Sequence, residues 1–166
     1  MVLQLHRLFS GEDDRLAFEY ELDLSSYEHE GCRPFVSPVA VSGVVTNSSG
    51  VVELAYQVGF VFEKPCDRCA DLTRREYSFS FQHVLVSELN EEDTGELLVV
   101  EEEQLDMDEL AVSDILLELP MKFLCSPDCR GLCPVCGNNR NTEQCNCSEK
   151  QIDPRMEVLK SLIEES

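Results

Sequence analysis

The 166-residue chain contains no tryptophan, only three histidines and few basic residues. Lys and Arg number 13 against 33 Asp and Glu, which gives a formal net charge of −20 at pH 7. A field this negative repels phosphate backbones at long range, so it excludes broad affinity for nucleic acid. Any contact with nucleic acid must then be local or be made through a basic partner. The length predicts one domain, or one domain with a small appendage.

Long apolar runs are also missing. No stretch approaches the roughly eighteen apolar residues that a membrane-spanning helix needs. The residues after Met1 have neither the basic nor the apolar region of a secretory leader. We therefore expect a cytoplasmic protein without membrane contact. That compartment is reducing, so cysteine pairs there predict metal or redox sites rather than disulfides.

A catalytic set is not recognisable in the sequence. His6, His29 and His83 lie in unrelated segments, and the strand pattern around His83 predicts a packing or surface residue. No glycine-rich phosphate loop and no nucleophile elbow is present. The sequence therefore predicts a protein that is not an enzyme and has no small-molecule substrate.

Cysteine is abundant and unevenly placed. Of nine cysteines, only Cys32 has no close partner in sequence. Cysteines two residues apart, as in Cys133-Pro-Val-Cys136-Gly, can turn both thiolates toward one ion, and zinc takes about four such ligands in a tetrahedron. The eight paired cysteines predict two zinc sites. Our preferred assignment is Cys66, Cys69, Cys125 and Cys129 in the first site, and Cys133, Cys136, Cys145 and Cys147 in the second.

Two alternatives to this assignment remain open at the level of sequence. Spacing allows Cys66 and Cys69 to join Cys133 and Cys136 instead. A Cys-x-x-Cys pair can also be a redox dithiol, but a catalytic one lies at a helix N-terminus, which lowers its thiol pKa. Cys66 instead follows a strand-like run and Pro65, among acidic neighbours that raise a thiol pKa, so the context favours metal over redox chemistry.

Period-two alternation dominates the first half of the chain and predicts β-strands. A helix is predicted from Asp106 as N-cap to Leu119, where Pro120 ends it, and a second over Asp153–Ile163. We predict an α+β fold of mainly antiparallel strands with two short helices and a cysteine-rich zinc-binding C-terminal part. Residues 1–119 would form the body, and 120–166 the zinc module packed against it through Cys66 and Cys69. A hairpin turn is predicted at Asn47–Gly50, where asparagine and glycine can adopt positive φ. The predicted strands are Val2–Phe9, Leu16–Leu24, Phe35–Thr46, Val51–Glu63, Arg74–Ser87 and Glu96–Glu103.

Charged residues indicate two candidate binding surfaces. Between Glu88 and Glu118 there is no Lys or Arg, and this acidic stretch could receive a basic protein. Basic residues instead flank the cysteines, where arginine can grip phosphates with two hydrogen bonds. Solvated charges that balance nearby acids explain the basic residues equally well. The basic candidates for contact with RNA or a partner are Arg68, Arg74, Arg75, Lys122, Arg130, Arg140 and Arg155.

Together these motifs resemble the YceD family, which is named for large ribosomal RNA subunit accumulation. The resemblance implies a non-enzymatic bacterial or chloroplast-type factor for 23S ribosomal RNA accumulation or processing, and hence for large-subunit assembly. The implied partner is the 23S precursor or a large-subunit ribosomal protein. The alternative is an acidic binding or chaperone module for a basic ribosomal protein. The motifs are Cys66-x-Arg-Cys69, the acidic helix ending in Leu119-Pro120, Cys125-x3-Cys129-Arg-Gly-Leu-Cys133-Pro-x-Cys136-Gly-x-Asn, Cys145-x-Cys147 and Asp153-Pro154-Arg155.

Overall fold

The computed structural model describes residues 1–88 and 97–147. A one-turn 3₁₀ segment at Glu101–Glu103 connects the last two strands of this part of the chain. The helices are α1 (His6–Phe9) and α2 (Met107–Glu118). The strands are β1 (Val2–Gln4), β2 (Arg15–Leu22), β3 (Val39–Ser48), β4 (Val51–Pro65), β5 (Leu72–Val86), β6 (Leu97–Val99) and β7 (Gln104–Asp106).

Five of these strands form one sheet in the order β2-β3-β4-β5-β6. The pairs β2–β3 and β3–β4 are antiparallel, whereas the short β6 runs parallel to β5. β1 and β7 form a separate two-stranded antiparallel sheet. Sheets of mainly antiparallel strands with two short helices confirm the α+β class that the sequence predicts.

The core follows from the alternation along β4. Gly43 of β3 lies opposite Tyr56, and a Cβ atom added there would come within 2.4 Å of the Tyr56 Cβ. Glycine at this position therefore leaves room for the Tyr56 side chain. From α2, Met107, Ala111 and Ile115 are fully buried. The buried side chains of β4 are Val52, Leu54, Tyr56, Val58, Phe60 and Phe62.

A buried polar cluster links α2 to the sheet. The carboxylate of Asp114 accepts a hydrogen bond of 2.5 Å from the Tyr56 hydroxyl and lies 2.6 Å from Nε2 of His83. Burial, and then the hydrogen bond to Asp114, raise the pKa of Tyr56 above its ordinary value, so the phenol stays protonated and donates. His83, which the sequence predicts as a packing or surface residue, is half-buried and takes part in this cluster.

The helix cap predicted at Asp106 and the hairpin turn predicted at Asn47–Gly50 both form, but the turn differs in detail. Asp106 caps α2 as predicted, and its carboxylate accepts from the backbone N–H groups of Asp108 and Glu109. The β3–β4 hairpin also forms where expected. Its two residues with positive φ are Ser49 and Gly50, whereas the sequence favoured asparagine and glycine; Asn47 instead accepts a hydrogen bond of 2.9 Å from the Gly50 N–H.

Some predicted strands have different bounds. The run Val2–Phe9 splits into β1 and the single helical turn α1, because Phe9 N–H bonds to the Leu5 carbonyl rather than to a neighbouring strand. β3 begins at Val39, and Phe35 makes one isolated bridge to Phe62. Within the described part of the predicted strand Glu96–Glu103, β6 covers Leu97–Val99, and the 3₁₀ segment with positive φ at Glu102 and Glu103 follows it. The predicted helix Asp153–Ile163 lies outside the described residues.

The chain divides into two compact units. The body unit comprises Met1–Lys64 and Thr73–Lys122. The metal unit joins Pro65–Leu72 to the chain from Phe123 onward. The metal unit is therefore assembled from two segments that are far apart in sequence. No helix within residues 1–88 and 97–147 is long and apolar enough to cross a lipid bilayer.

Candidate metal centre

Two groups of four cysteines converge in the metal unit. Within each group the four sulfur atoms lie within 4.8 Å of one another, and none of the nine cysteines forms a disulfide. The sulfurs come together in our preferred combination rather than in the alternative that joins Cys66 and Cys69 to Cys133 and Cys136. The groups are Cys66, Cys69, Cys125 and Cys129, here called the first cysteine group, and Cys133, Cys136, Cys145 and Cys147, the second cysteine group.

The first cysteine group has the dimensions of a tetrahedral thiolate site. Sγ of Cys66 lies 3.8 Å from Sγ of Cys129, and Sγ of Cys69 lies 3.5 Å from Sγ of Cys125. Zinc–sulfur bonds of about 2.3 Å in a tetrahedron place neighbouring sulfurs about 3.8 Å apart. Three of the four cysteines are buried, and Cys125 is half-buried. The donor set and its spacing therefore fit one metal ion.

The same tight turn shapes the first pair of cysteines in each group. In the turn after Cys66, the N–H of Ala70 donates to the Cys66 carbonyl at 2.9 Å, and Ala70 has a φ of 60°. In the turn after Cys133, the N–H of Gly137 donates to the Cys133 carbonyl at 2.9 Å, with a φ of 77°. A residue with positive φ after the second cysteine lets the chain reverse, which glycine allows without strain and alanine only at a cost.

The segment carrying Cys125 is fastened to the first turn by paired hydrogen bonds. The carboxylate of Asp67 accepts from the Phe123 N–H at 2.6 Å, and the Asp67 N–H donates to the Phe123 carbonyl at 2.9 Å. The N–H of Cys125 then donates to Sγ of Cys66 at 3.3 Å. These bonds hold the distant segments in one register, so hydrogen bonding between the segments brings the sulfurs of the first cysteine group together.

A second set of contacts, at Arg68 and Gly131, joins the turn after Cys66 to the segment that carries Cys129. The Arg68 guanidinium donates to the Cys129 carbonyl at 3.0 Å, and the Arg68 carbonyl accepts from the Leu132 N–H at 2.9 Å. Gly131 has a φ of 71°, and a Cβ atom added there would lie 3.0 Å from the Arg68 carbonyl oxygen. Both the backbone conformation and the close approach require glycine at this position.

Side-chain amides complete the surroundings of the first cysteine group. Nδ2 of Asn141 donates to Sγ of Cys129 at 3.3 Å. Nδ2 of Asn139 donates to the Asp71 carboxylate at 2.6 Å. Asn139 closes the motif Cys136-Gly-x-Asn, but the sequence assigned it no role, and Asp71 and Asn141 carry no motif. Hydrogen bonds to the sulfurs stabilise thiolates and hold ligands in place.

The second cysteine group is local and more open. Its cysteines fall within a short stretch that includes a bridge between Leu132 and Asn139. Cys133 is buried, but Cys136 is exposed, and Cys145 and Cys147 are half-buried. This group can therefore form within one continuous segment, although solvent reaches its sulfurs.

The pKa values of the cysteine thiols differ within the first cysteine group, and Cys133 of the second group also ionises readily. Burial raises the pKa of Cys66, but three backbone N–H groups, that of Cys125 foremost, lower it to about 6. The backbone N–H groups of Cys136 and Val135 lower the pKa of Cys133 to about 6. The Cys69 thiol of the first cysteine group resists ionisation. The N–H of Asp71 lowers its pKa, but burial and the neighbouring thiols outweigh that effect and raise the pKa to about 12. A divalent cation removes that resistance, because it offsets the repulsion between adjacent thiolates.

The family assignment comes from comparison with known proteins. Residues 54–163 match the family described as Large ribosomal RNA subunit accumulation protein YceD, and this stretch is well over half of the chain and includes both cysteine groups. The chain belongs to the YceD family. Its family name implies a role in the accumulation of large-subunit ribosomal RNA.

Relatives of this YceD-family chain occur in Mycobacterium and Bacillus. The Mycobacterium tuberculosis protein Rv2926c, named as uncharacterized, is 34% identical over 104 residues, which cover 59% of this chain and 49% of that protein. The Bacillus subtilis protein YlbN, also named as uncharacterized, is 24% identical over 132 residues, which cover 78% of this chain and 77% of that protein. The chain thus spans about half the length of the mycobacterial relative. No solved structure matches it.

The predicted RNA- or partner-binding residues are distributed over both units. Arg68, Arg130 and Arg140 belong to the metal unit, whereas Arg74, Arg75 and Lys122 belong to the body unit. Arg155 lies outside the described residues. A metal ion bound by four protein sulfurs has no open coordination position, which is typical of structural rather than catalytic metal sites. In this YceD-family chain the cysteines can hold a metal that shapes the metal unit.

Proposed function

We propose that this chain is a non-enzymatic factor that acts by binding during 23S ribosomal RNA accumulation or processing and large-subunit assembly in the bacterial cytoplasm. The family name supports the pathway. The two closed sets of thiolates support a binding role, because a ligand set of four cysteines leaves no position for substrate. The partner in this proposal is the 23S precursor, contacted through the metal unit.

We propose zinc as the metal of both cysteine groups. Four thiolates in a tetrahedron suit zinc, which has no geometric preference of its own and forms structural sites of this composition. All eight ligands are then used to hold the metal unit together: Cys66, Cys69, Cys125, Cys129, Cys133, Cys136, Cys145 and Cys147. The zinc ions would fix the surface that meets RNA without touching it.

The two groups are expected to release metal to a chelator at different rates, with the second group first. Cys136 is exposed, whereas Cys66 and Cys69 are buried, so a chelator reaches the second group without unfolding. Metal release followed by a zinc indicator dye should show a fast and a slow phase of about one equivalent each, because a structural site opens only on local unfolding.

The variant Cys136→Ser serves as the control for this assignment. It should remove the fast phase and leave the slow one unchanged. A single phase in the unmodified chain, or a slow phase that disappears in Cys136→Ser, would show that the groups do not behave as separate sites.

One observation carries the RNA-binding proposal. Arg130 and Arg140 line a cavity of about 300 Å³ together with Cys133, Cys145 and Cys147 of the second cysteine group. Arg130 is exposed, and a guanidinium can bind a phosphate through two parallel hydrogen bonds. The surroundings of this cavity are rigid once metal is bound, so the arginines would be held in place before RNA arrives.

The charge of the chain supports a local contact with RNA rather than a broad one. The chain as a whole carries −20, and the described part of the metal unit has three arginines against four acids, to which each four-thiolate zinc site would add a net charge of about −2. Long-range attraction to RNA is therefore absent at this unit as well, and binding has to come from a small, specific contact made by the arginines. The proposed contact set also includes Arg74, Arg75 and Lys122 of the body unit, and Arg155.

Charge reversal at Arg130 is expected to weaken RNA binding without loss of metal. Arg130→Glu should lower the affinity for 23S precursor fragments. The slope of log affinity against log salt concentration should also fall in magnitude by about one, because one phosphate contact is lost. In cells the variant should lower the amount of mature 23S RNA relative to 16S RNA.

The matched control is Arg33→Glu in the body unit. Arg33 is exposed and forms only a surface ion pair with Glu28 at 3.2 Å, so its reversal has the same charge change with little structural effect. Normal 23S accumulation in Arg130→Glu, with RNA affinity equal to that of Arg33→Glu, would contradict the arginine contact.

A further inference from the structure

An apolar groove lies in the body unit between β6, β7 and the first turns of α2. Its volume is about 420 Å³, and it is open to solvent along one side. The groove is lined by the apolar residues Leu98, Val99, Leu105 and Leu110 and by the polar residues Glu101, Gln104, Asp106, Glu109 and Ser113.

The apolar part of the groove continues along α2. Leu105 is buried at the floor, and Val99 is 38% exposed at the edge. Leu110 and Leu117 are seven residues apart, so they lie on the same face of the helix, and Leu117 is 82% exposed. The groove and Leu117 together present an apolar strip long enough for several side chains of an extended or helical peptide.

Acids surround this strip. Glu101 and Glu109 are exposed at the rim, and within the described residues neither carboxylate pairs with a Lys or Arg. Asp106 lies beside them, but its carboxylate caps α2 and is 3.9 Å from the Met1 ammonium group, so Glu101 and Glu109 are the two acids available to a partner. The sequence has no Lys or Arg from Glu88 to Glu118, so no basic side chain of that stretch offsets these acids.

The combination selects one kind of occupant. RNA and a second copy of this chain, which also carries −20, are both repelled by the acidic rim. A purely apolar peptide would leave the rim acids without partners. We propose that the groove binds a protein segment in which Lys or Arg residues alternate with two or three apolar side chains. The apolar side chains fill the strip, and the cations meet the rim.

This surface is separate from the RNA contact proposed for the metal unit. The groove itself is defined by body-unit residues, so binding there can fail or succeed independently of Arg130. The apolar side chains would supply most of the affinity, while the charges would give specificity and fast association.

Fluorescence anisotropy with synthetic peptides of about twelve residues tests the groove on the full-length, metal-loaded chain. The probe alternates Lys and Arg with Leu and Val; one matched peptide replaces the apolar residues by Ser, and another replaces the basic residues by Glu. We expect the probe to bind at least about tenfold more tightly than the Ser peptide, because the apolar side chains are buried, and the Glu peptide not to bind.

Paired charge reversals localise the binding. Glu101→Lys with Glu109→Lys should lower the probe's affinity about tenfold or more, whereas the control Glu19→Lys with Glu21→Lys, at exposed positions of β2, should lower it less than about twofold. Leu110→Ala with Leu117→Ala should lower it about tenfold. RNA binding by the rim variant should stay unchanged or increase, which separates this result from any failure of the Arg130 contact.

Three outcomes would overturn the proposal. Equal loss of affinity in the rim and control variants would show nonspecific attraction to an acidic protein. Displacement of the probe by a single-stranded RNA oligonucleotide, with RNA affinity lost in Leu110→Ala with Leu117→Ala, would assign the groove to RNA. A dimer in analytical ultracentrifugation that dissociates in the same leucine variant would assign it to a second copy of the chain.

Discussion

A chain carrying Cys69→Ser is expected to lose the metal of the first cysteine group and to unfold throughout the metal unit. This group joins Pro65–Leu72 to the segment that begins at Phe123, so its loss releases a contact between distant parts of the sequence. Structural zinc contributes about 10–16 kcal/mol of apparent binding free energy in small finger peptides, which is more than the short hydrogen-bonded turns here can replace. The Cys125 thiol should then become reactive.

Metal analysis and thiol titration under reducing conditions measure this effect. Zinc content should fall from about two equivalents to about one or less. The control is Cys32→Ser: Cys32 lies outside both groups, and its sulfur donates to the His29 carbonyl at 3.1 Å. That variant should keep both metals and the same thiol protection. Retention of two equivalents in Cys69→Ser, or an unreactive Cys125, would contradict the site.

Asp114→Ala should destabilise the body unit by about 1–3 kcal/mol, because it leaves the buried Tyr56 hydroxyl without its acceptor. The half-buried His83 ring loses the same partner and adds less, since water can replace it. Asp114 is the one buried charged residue in the part of the chain that the structure describes. The loss should also loosen α2, which reaches β4 and β5 through this carboxylate.

Chemical denaturation followed by circular dichroism, with metal content held constant, measures the change in midpoint. Asp114→Asn should cost less than Asp114→Ala, because the amide keeps one acceptor oxygen. Glu118→Ala on the exposed side of the same helix is the matched control and should leave the midpoint nearly unchanged. An Asp114→Ala midpoint equal to that of Glu118→Ala would show that the cluster contributes little to stability.

Much of the fold could be predicted because its signals are local. Alternation along β4 predicts which side chains are buried, and the Asp106 cap predicts where α2 begins. Local signals were weaker where the chain had competing choices. The first strand run becomes β1 and α1, and the hairpin uses Ser49 rather than Asn47 for positive φ. Short segments have several nearly equal local conformations, and contacts elsewhere select among them.

The cysteine pattern by itself predicted that the cysteines of the metal unit are metal ligands rather than core residues, because spacings of two residues suit the reach of neighbouring side chains to one ion. It could not decide which pairs share an ion. Cys66 and Cys129 are 63 residues apart, and their segments are joined by two hydrogen bonds between Asp67 and Phe123, one from the Phe123 N–H to the Asp67 carboxylate and one between backbone groups. No spacing rule encodes a register between distant segments.

The sequence by itself therefore predicted metal binding by cysteine, and it determined the strand-rich body and the excess of acidic residues. Only the tertiary structure decided the division of the eight cysteines, the support of Cys129 by Asn141, the burial of Asp114 against His83, and the groove beside α2. The physical reason is distance along the chain. Periodicity and spacing act between near neighbours, whereas these features require the folded path to bring together residues that carry no signal for one another.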